Sequence, residues 1–394
     1  MGPLQQTAGG KVPWGRAWPS GNLFPREDPL PSEEDALVVI VGPAAPVAHD
    51  PSGDQRARPV LRAARLSMAV VAVAVAVGVL APALLERHQL LILVVGFLAG
   101  LPHGAVDHLV PFWTGWARRS APVMLVVLLG YIGVAVMTWA GLHWAGPVVL
   151  PLLLVVSVLH FGTGDLMADR DDQPADGPAP LSGLVLVVAV LARGGPVVAG
   201  PLLLWPDQAG QALAAVQLNF AMPAWWVRVL LAGVVAVCVL AAAVASLRSR
   251  DRRAAVEVVL LAVLFATVPP LAAFGVYFGA WHGLRHTARL IACDPRNHAD
   301  LTVGRLLRPV RRFLVSAALP TLVASGSAAA LVALAGQHTN LTGTLFTVLL
   351  ALTVPHLVVV AALDLAALDL AGQPRAPHPS PSDPVVSVAA PARP

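Results

Sequence analysis

Residues 281–286 read WHGLRH and lie within one of the long apolar segments that dominate this sequence. His282 and His286 are four positions apart, so on a helix their imidazoles share one face about one turn, ~6 Å, apart. At that spacing a single helix can supply two ligands to one metal ion. An interhelical packing or hydrogen-bond pair explains this stretch alone equally well. Polar groups in an apolar segment are costly, so the choice between these hypotheses depends on what the rest of the chain offers the two rings.

The composition is that of a polytopic membrane protein. Of the 394 residues, 57% are hydrophobic and 12% are charged, with a mean hydropathy of +0.72. A soluble domain carries about 25% charged residues. The net charge of +4 arises from arginine clusters in loops, which in a membrane protein report orientation and give no indication of nucleic-acid binding. The two cysteines, Cys238 and Cys293, suggest neither a disulfide framework nor a thiolate metal site.

Ten apolar segments are long enough to cross a bilayer. Each has about 19 to 24 residues, which suffices for about 30 Å of hydrocarbon at ~1.5 Å per residue. The division between the seventh and eighth segments rests on the pair Pro269 and Pro270. The sequence therefore predicts an all-α fold, a polytopic transmembrane helical bundle of about ten spans with a metal site within the bundle. The predicted spans are 67–85, 90–110, 121–142, 147–166, 181–204, 223–245, 254–272, 273–293, 313–335 and 341–362.

The two ends of the chain differ from the apolar middle. Residues 1–60 and the Pro-rich residues 366–394 are predicted to be disordered polar tails around a transmembrane catalytic domain at 61–365, and Met68 is an alternative start. With ten spans, the strong arginine clusters all fall on the side of the amino terminus. The positive-inside rule therefore predicts a multi-pass protein of the cell membrane with both termini in the cytoplasm.

Histidines lie at a common depth in four of the predicted spans. His103, His160 and His286 are about six or seven residues from the inner ends of their spans, or ~9–11 Å from the cytoplasmic boundary. His356 lies in the same layer, and His282 is one turn deeper. Independent packing histidines would have no cause to share a depth, so the sequence predicts one convergent metal site. Imidazoles without a thiolate suit Fe, Zn, Cu or Ni, and residue type alone leaves the metal open.

Two aspartates are candidates to orient these imidazoles. Asp107 follows His103 by four residues, so on a regular helix it shares a face with that ring, and it is a candidate to accept a hydrogen bond from a liganding imidazole. Asp165, five residues after His160, is a looser candidate for the same role. Helix-end capping or solvation at the membrane boundary is the competing interpretation of both carboxylates.

Three further polar residues accompany the WHGLRH stretch. Tyr277, one of two tyrosines, is predicted to line a substrate cavity, with packing of a paired hydroxyl as the alternative. Arg285 and Arg289 are predicted to extend their head groups to the inner interface and to take no part in chemistry.

Four short motifs mark the histidine-bearing spans: PHGAVDH at 102–108, HFG at 160–162 followed by Asp165, WHGLRH at 281–286, and PH at 355–356. In matching order over residues 67–365, they resemble the motifs of the Brp/Blh family of integral-membrane carotene dioxygenases. The first and third motifs together are fairly specific, and the other two are weak alone. The chain departs from the family pattern at Gly283, where serine is expected and where a smaller residue would widen the cavity. It also departs before Asp364, where an acidic residue is expected earlier.

The resemblance implies a non-haem Fe(2+) enzyme that cleaves β-carotene with O2 at the central 15,15′ double bond, giving two molecules of all-trans-retinal. It implies that four histidines hold the iron, matching His103, His160, His282 and His286, and it leaves the role of His356 open. A microbial rhodopsin is an implied recipient of the retinal. The lipid bilayer is the medium of the substrate, and no nucleic-acid partner is implied.

A transporter in which histidines relay protons or pass a metal ion is the main alternative. It predicts carboxylates deep in the membrane, whereas Glu257 and Asp107 lie near the ends of their spans. A diiron or zinc membrane enzyme, such as a desaturase or hydrolase, would use more ligands than the one HxxxH pair found here. A carotene-cleaving iron enzyme therefore explains the sequence best.

Overall fold

The computed structural model describes residues 58–171, 181–216, 222–335 and 341–372, which form helices and no strand. Residues 1–57 and 373–394, with most of the two predicted tails, lie outside the described residues. A π-helix covers Tyr277–Gly283, and 3₁₀ turns cover Asp107–Leu109 and Pro295–Asn297. The α-helices are α1 (Arg58–Leu80), α2 (Pro82–Gly100), α3 (Pro102–Ala105), α4 (Val110–Trp113), α5 (Ala121–Asp171), α6 (Gly183–Leu204), α7 (Pro206–Ala215), α8 (Trp225–Arg248), α9 (Arg252–Thr267), α10 (Pro270–Val276), α11 (Leu284–Cys293), α12 (His298–Thr302), α13 (Leu307–Ala335) and α14 (Leu341–Gly372).

Seven helices within the described residues are long and apolar enough to cross a membrane. One of them is the long helix α5, which is broken at Ala145 (φ −133°, ψ 32°), between two of the predicted spans. The predicted spans 254–272 and 273–293 are not among the seven. Helix α9 has only 16 residues, and the next segment is divided into α10, the π-helix and α11. The chain is thus a helical membrane protein, and the predicted count of ten spans is not confirmed.

The centre of the bundle lies at α10 and the π-helix. Tyr277 and Trp281 are almost fully buried there, packed with Val71 of α1 and Phe265 of α9. Helices α5, α8 and α13 lie at the periphery and expose many leucine and valine side chains. An apolar outer surface of this extent is expected where lipid is the solvent. The polar residues of the WHGLRH stretch therefore lie in the most buried part of the chain.

A seam of glycines lets α2 pack directly against α10 and the π-helix. The glycine seam consists of Gly96 and Gly100 of α2 with Gly275, Gly279 and Gly283 opposite them. A Cβ at Gly96 would collide with the Gly275 carbonyl, and one at Gly283 would lie 2.9 Å from the Gly100 Cα. Small residues four apart permit such backbone contact between membrane helices. Gly283 therefore serves helix packing, and the prediction that it widens the cavity is wrong.

Gly275→Ala is expected to destabilise the bundle, because its new Cβ would lie 2.6 Å from the Ile92 carbonyl oxygen and 2.8 Å from the Leu93 Cα. Overpacking of this kind typically costs ~1–3 kcal/mol and lowers the melting temperature by a few degrees. The measurement is thermal unfolding of the purified protein in detergent. Gly130→Ala on α5 is the matched control, since its added Cβ has nothing within 4 Å among the described residues. Equal melting temperatures for the two variants would contradict the packing role of the seam.

Candidate metal centre and apolar cavity

Five buried histidines converge inside the bundle and are called the histidine cluster below. Neighbouring ring centroids are 5.0 to 5.5 Å apart across helices, for example 5.0 Å between His103 and His356 and 5.1 Å between His160 and His282. The rings of His282 and His286 are 6.0 Å apart and nearly parallel, as their four-residue spacing predicts. The members are His103 (α3), His160 (α5), His282 (π-helix), His286 (α11) and His356 (α14).

The nitrogen atoms of the cluster fit a metal ion. One ring nitrogen from each of His103, His282 and His356 lies within 4.8 Å of the other two. The Nε2 atoms of His282, His286 and His356 are buried without a hydrogen-bond partner among the described residues. Buried polar atoms in proteins are nearly always paired, so orphaned nitrogens that face a common centre are what a metal site requires. The tightest group of three includes His356, which is outside the four ligands implied by the family resemblance, and leaves out His160 and His286.

An interruption of the helix after α2 places His103 in the cluster. Pro102 begins the short helix α3, and Val106 ends it with non-helical angles (φ −100°, ψ 5°). The Nδ1 of His103 is hydrogen-bonded to the Gly100 carbonyl. A carbonyl oxygen only accepts, so Nδ1 carries the proton and Nε2 is the nitrogen available as a ligand.

Asp107 contacts an imidazole of the cluster, that of His356 and not that of His103, with which it would share a face on a regular helix. Its Oδ2 accepts a hydrogen bond from His356 Nδ1 at 2.8 Å and another from the Tyr131 hydroxyl at 2.9 Å. The physical reason is the non-helical Val106, which turns Asp107 away from the face of His103. An orienting carboxylate on a cluster imidazole is nevertheless present, as metal-binding histidines require.

Asp165 contacts Trp281 in place of a histidine. Its Oδ2 accepts a hydrogen bond from Trp281 Nε1 at 3.0 Å. The guanidinium carbon of Arg285 lies 3.7 Å from the centroid of the same indole ring, a cation–π contact. Asp165 therefore anchors the residue next to His282, and its predicted role on an imidazole of the cluster is not found.

Arg285 and Arg289 are buried in ion pairs, and the prediction that they extend to the interface is wrong. Arg285 is 2% exposed, its NH1 lies 2.9 Å from Glu257 Oε2, and its Nε donates to Ser67 Oγ at 2.9 Å. Arg289 pairs with Asp364 at 2.8 Å. These contacts join α11 to α1, α9 and α14, so they fix the helix that carries His286. Asp364, which lies later in the last helix than the acidic residue expected from the family pattern, thus has Arg289 as its partner.

The two tyrosines lie in different surroundings, Tyr277 in the core and Tyr131 beside Asp107. Tyr277 is fully buried, its ring lies 6.0 Å from that of His282 and 5.3 Å from that of Phe161, and its hydroxyl has no partner among the described residues. It is not among the residues that line the apolar cavity beside the cluster, so of its two predicted roles the structure favours packing, because the π-helix turns it into the core. Tyr131 lines the cavity and contacts Asp107. The available sequence signal for Tyr131 was its rarity in an apolar span.

An apolar cavity of about 910 Å³ borders the histidine cluster. His103, His160, His282 and His356 lie in its wall together with Tyr131. Leucine, valine, isoleucine and phenylalanine side chains from α2, α5, α13 and α14 supply most of the remaining wall. The volume is near the upper end of the usual range for small-molecule sites, ~300–1,000 Å³. The site therefore suits a large apolar molecule placed beside a metal.

The cavity reaches the outer surface at α5 and α13. Ile132 and Val136 of α5 and Leu319 and Val323 of α13 all line the cavity, yet each exposes 55% to 71% of its surface. The outer surface of these membrane-spanning helices faces hydrocarbon. The mouth formed by the four residues, called the lateral mouth, therefore connects the cavity with lipid.

Comparison with known proteins gives a consistent result. The family model described as beta-carotene 15,15′-dioxygenase matches residues 92–364. The chain is 32% identical over 348 residues to the probable beta-carotene 15,15′-dioxygenase Blh of Halobacterium salinarum, covering 82% of this chain and 98% of that protein. It is 31% identical to the probable dioxygenase Brp of the same organism (59% and 68% covered) and 26% identical to a beta-carotene 15,15′-dioxygenase of an uncultured marine bacterium (66% and 88% covered). No solved structure matches. The chain therefore belongs to the beta-carotene 15,15′-dioxygenase family of oxygenase enzymes, as its motifs predicted.

Proposed function

We propose that this protein cleaves β-carotene with O2 at the central 15,15′ double bond, giving two molecules of all-trans-retinal at a non-haem Fe(II) centre. The observation that carries the proposal is that the histidine cluster forms part of the wall of the 910 Å³ apolar cavity. The cavity offers space for a polyene, and the cluster offers nitrogen ligands directly beside it. The names of the relatives specify the reaction.

The surroundings of the cavity suit a hydrocarbon substrate. β-Carotene dissolves in the bilayer, and the lateral mouth gives it access to the cavity without passage through water. Apolar walls accept a polyene without leaving polar groups unpaired. The histidines, Asp107 and Tyr131 contribute polar atoms to the wall, and the reacting double bond would lie beside them.

In the overall reaction, the central C=C bond and the O–O bond break and two C=O bonds form. Atoms and electrons therefore balance without an external reductant. Fe(II), when bound, supplies the redox chemistry that O2 needs to react with an alkene. We propose that His103, His160, His282 and His286 hold it as neutral imidazoles. The apolar walls exclude water, which restricts side reactions of the oxidised carbon chain.

The proposal extends to location and partners. The arginine distribution along the sequence supports a cell-membrane protein with both termini in the cytoplasm. The family resemblance supports a microbial rhodopsin as the recipient of the retinal. Transfer through the bilayer would suit both molecules, since retinal is itself apolar.

The hydrogen bonds of the buried carboxylates argue against the alternative of a proton or metal transporter. A proton or metal relay needs acidic groups that are free to exchange partners along the path. Asp107, Asp165 and Glu257 are buried, but each is hydrogen-bonded to the side chain of a residue on another helix. Such paired groups support a rigid scaffold around the cluster.

Expression in a bacterium that produces β-carotene tests the proposal. Retinal is expected to accumulate while the orange colour fades, and chromatography of the extract measures both compounds. Unchanged β-carotene in cells that contain folded protein in the membrane would refute the proposed function. Apocarotenals of unequal length would refute central cleavage but retain the class of reaction.

Ala135→Trp is expected to block the cavity, because Ala135 lines it on α5 and an indole would occupy part of the space for the polyene. Cleavage should fall at least about tenfold through misplacement of the substrate, with the iron content unchanged. Retinal formation and iron per protein are measured together. Met137→Trp, two residues along the same helix at a side chain that is 75% exposed, is the matched control. Similar rates for the two variants would argue against the cavity as the substrate site.

A further inference from the structure

His356 lies among the proposed ligands although it is not one of the four. It is buried on α14, and its ring centroid is 5.0 Å from that of His103, 5.1 Å from that of His160 and 5.5 Å from that of His286. One of its nitrogens also belongs to the tight group formed with His103 and His282. The ring therefore faces the same centre as the other members of the cluster.

Asp107 determines which nitrogen of His356 faces that centre. An ionised carboxylate only accepts hydrogen bonds, so His356 Nδ1–H donates to Asp107 Oδ2 at 2.8 Å and Nε2 keeps its lone pair. This Nε2 is buried and has no hydrogen-bond partner in the described part of the chain. The Tyr131 hydroxyl donates to the same Oδ2 at 2.9 Å and holds the carboxylate in place. Carboxylate, imidazole and free nitrogen thus follow one another as they do in metal-binding histidines.

A second polar contact fixes the helix that carries His356. Asp364 lies about two turns, ~12 Å, further along α14 and pairs with Arg289 of α11 at 2.8 Å. Both side chains are buried. Since α11 also carries His286, this ion pair sets the height of His356 relative to that of His286. The position of His356 is therefore specified by polar contacts on two sides of the cluster.

We propose that His356 is a fifth imidazole ligand of the metal, and that Asp107 and Tyr131 are positioning residues that act through it. The inference rests on the proposed function, since it presupposes a metal in the cluster. The last helix, which the sequence left without a role, then completes the centre.

Co(II) is a suitable probe, because its visible absorption bands report the number and kind of its ligands. In the purified full-length protein, His356→Ala is expected to weaken Co(II) binding at least about tenfold and to change these bands. Added imidazole is expected to restore the original bands. Val358→Ala, on the same helix at a residue that is 59% exposed, is the control and should keep both properties. Wild-type affinity and an unchanged spectrum in His356→Ala would overturn the inference.

Asp107→Asn gives an independent measurement because it leaves the imidazole in place. It is expected to lower Co(II) affinity roughly 10–100-fold while retaining the band pattern. If His356→Ala does not fold, wild-type Co(II) affinity in Asp107→Asn overturns the inference by itself. Two further measurements separate this inference from the proposed function. If the wild-type protein binds no Co(II), the metal centre as a whole is refuted. If His282→Ala loses Co(II) binding and His356→Ala keeps wild-type binding, only the role of His356 as a fifth ligand is refuted.

Discussion

His282→Ala is expected to abolish both metal retention and carotene cleavage. The ring of His282 lies 5.1 Å from those of His103 and His160, and its Nε2 has no other partner among the described residues. Loss of a ligand should cost more than the roughly 10–100-fold in metal affinity that follows loss of an outer partner. Because His282 also borders the open cavity, its truncation enlarges an existing space and the bundle is expected to remain folded.

Iron per protein and retinal formed from β-carotene are the two measurements for His282→Ala, and His286→Ala should behave alike. His143→Ala is the control. His143 is an exposed histidine of α5 that stacks on Trp139, with a distance of 5.7 Å between ring centroids. It should leave iron and cleavage near wild-type values. Retained iron and retinal formation in His282→Ala would refute the cluster as the metal centre.

Arg285→Met is expected to destabilise the bundle strongly. The change removes the ion pair with Glu257, the hydrogen bond to Ser67 and the cation–π contact with Trp281, all inside the core. Loss of one partner from a buried ion pair typically costs ~3–5 kcal/mol. Arg253, which lies 2.8 Å from the other carboxylate oxygen of Glu257, would then be the remaining partner of that buried charge. Because Arg285 directly precedes His286, a lower iron content should accompany the lower stability.

Thermal unfolding in detergent measures the effect of Arg285→Met. Arg248→Met, at an exposed arginine in the last turn of α8, is the control and should melt close to wild type. The double variant that adds Glu257→Gln is expected to recover part of the loss, because it removes a buried charge that has lost one of its two arginine partners. An Arg285→Met variant as stable as the control would show that the buried pair does not hold the helix.

The convergence of the histidines could be predicted from the sequence, because span ends and the helical rise give them a common level along their helices. The rotation of each helix about its own axis could not be predicted from the sequence. The break at Val106 and the π-helix from Tyr277 both change the direction of side chains without a strong local signal. For that reason the cluster was expected, whereas the partner of Asp107 and the choice between cavity and core for Tyr277 could not be predicted.

The buried ion pairs could not be predicted from the sequence for a different reason. The partners of Arg285 lie 28 and 218 residues away in sequence, on helices whose mutual packing no periodicity reveals. Hydropathy reasoning assigns an arginine near a span end to the interface. The predicted count of ten spans is not confirmed, because α9 has only 16 residues and the segment after it is divided into α10, the π-helix and α11.

Because the cavity opens beside Ile132 and Leu319, the acyl chains of surrounding lipids have the same access to it as a polyene. A molecule that moves from hydrocarbon into an apolar cavity releases no water, so the hydrophobic effect contributes nothing to its affinity. Discrimination between a polyene and a lipid acyl chain then depends on how stiff each chain is. A conjugated chain has little conformational entropy to lose on confinement, whereas a flexible acyl chain has much. We therefore expect the cavity to favour a rigid conjugated chain over flexible acyl chains of equal polarity.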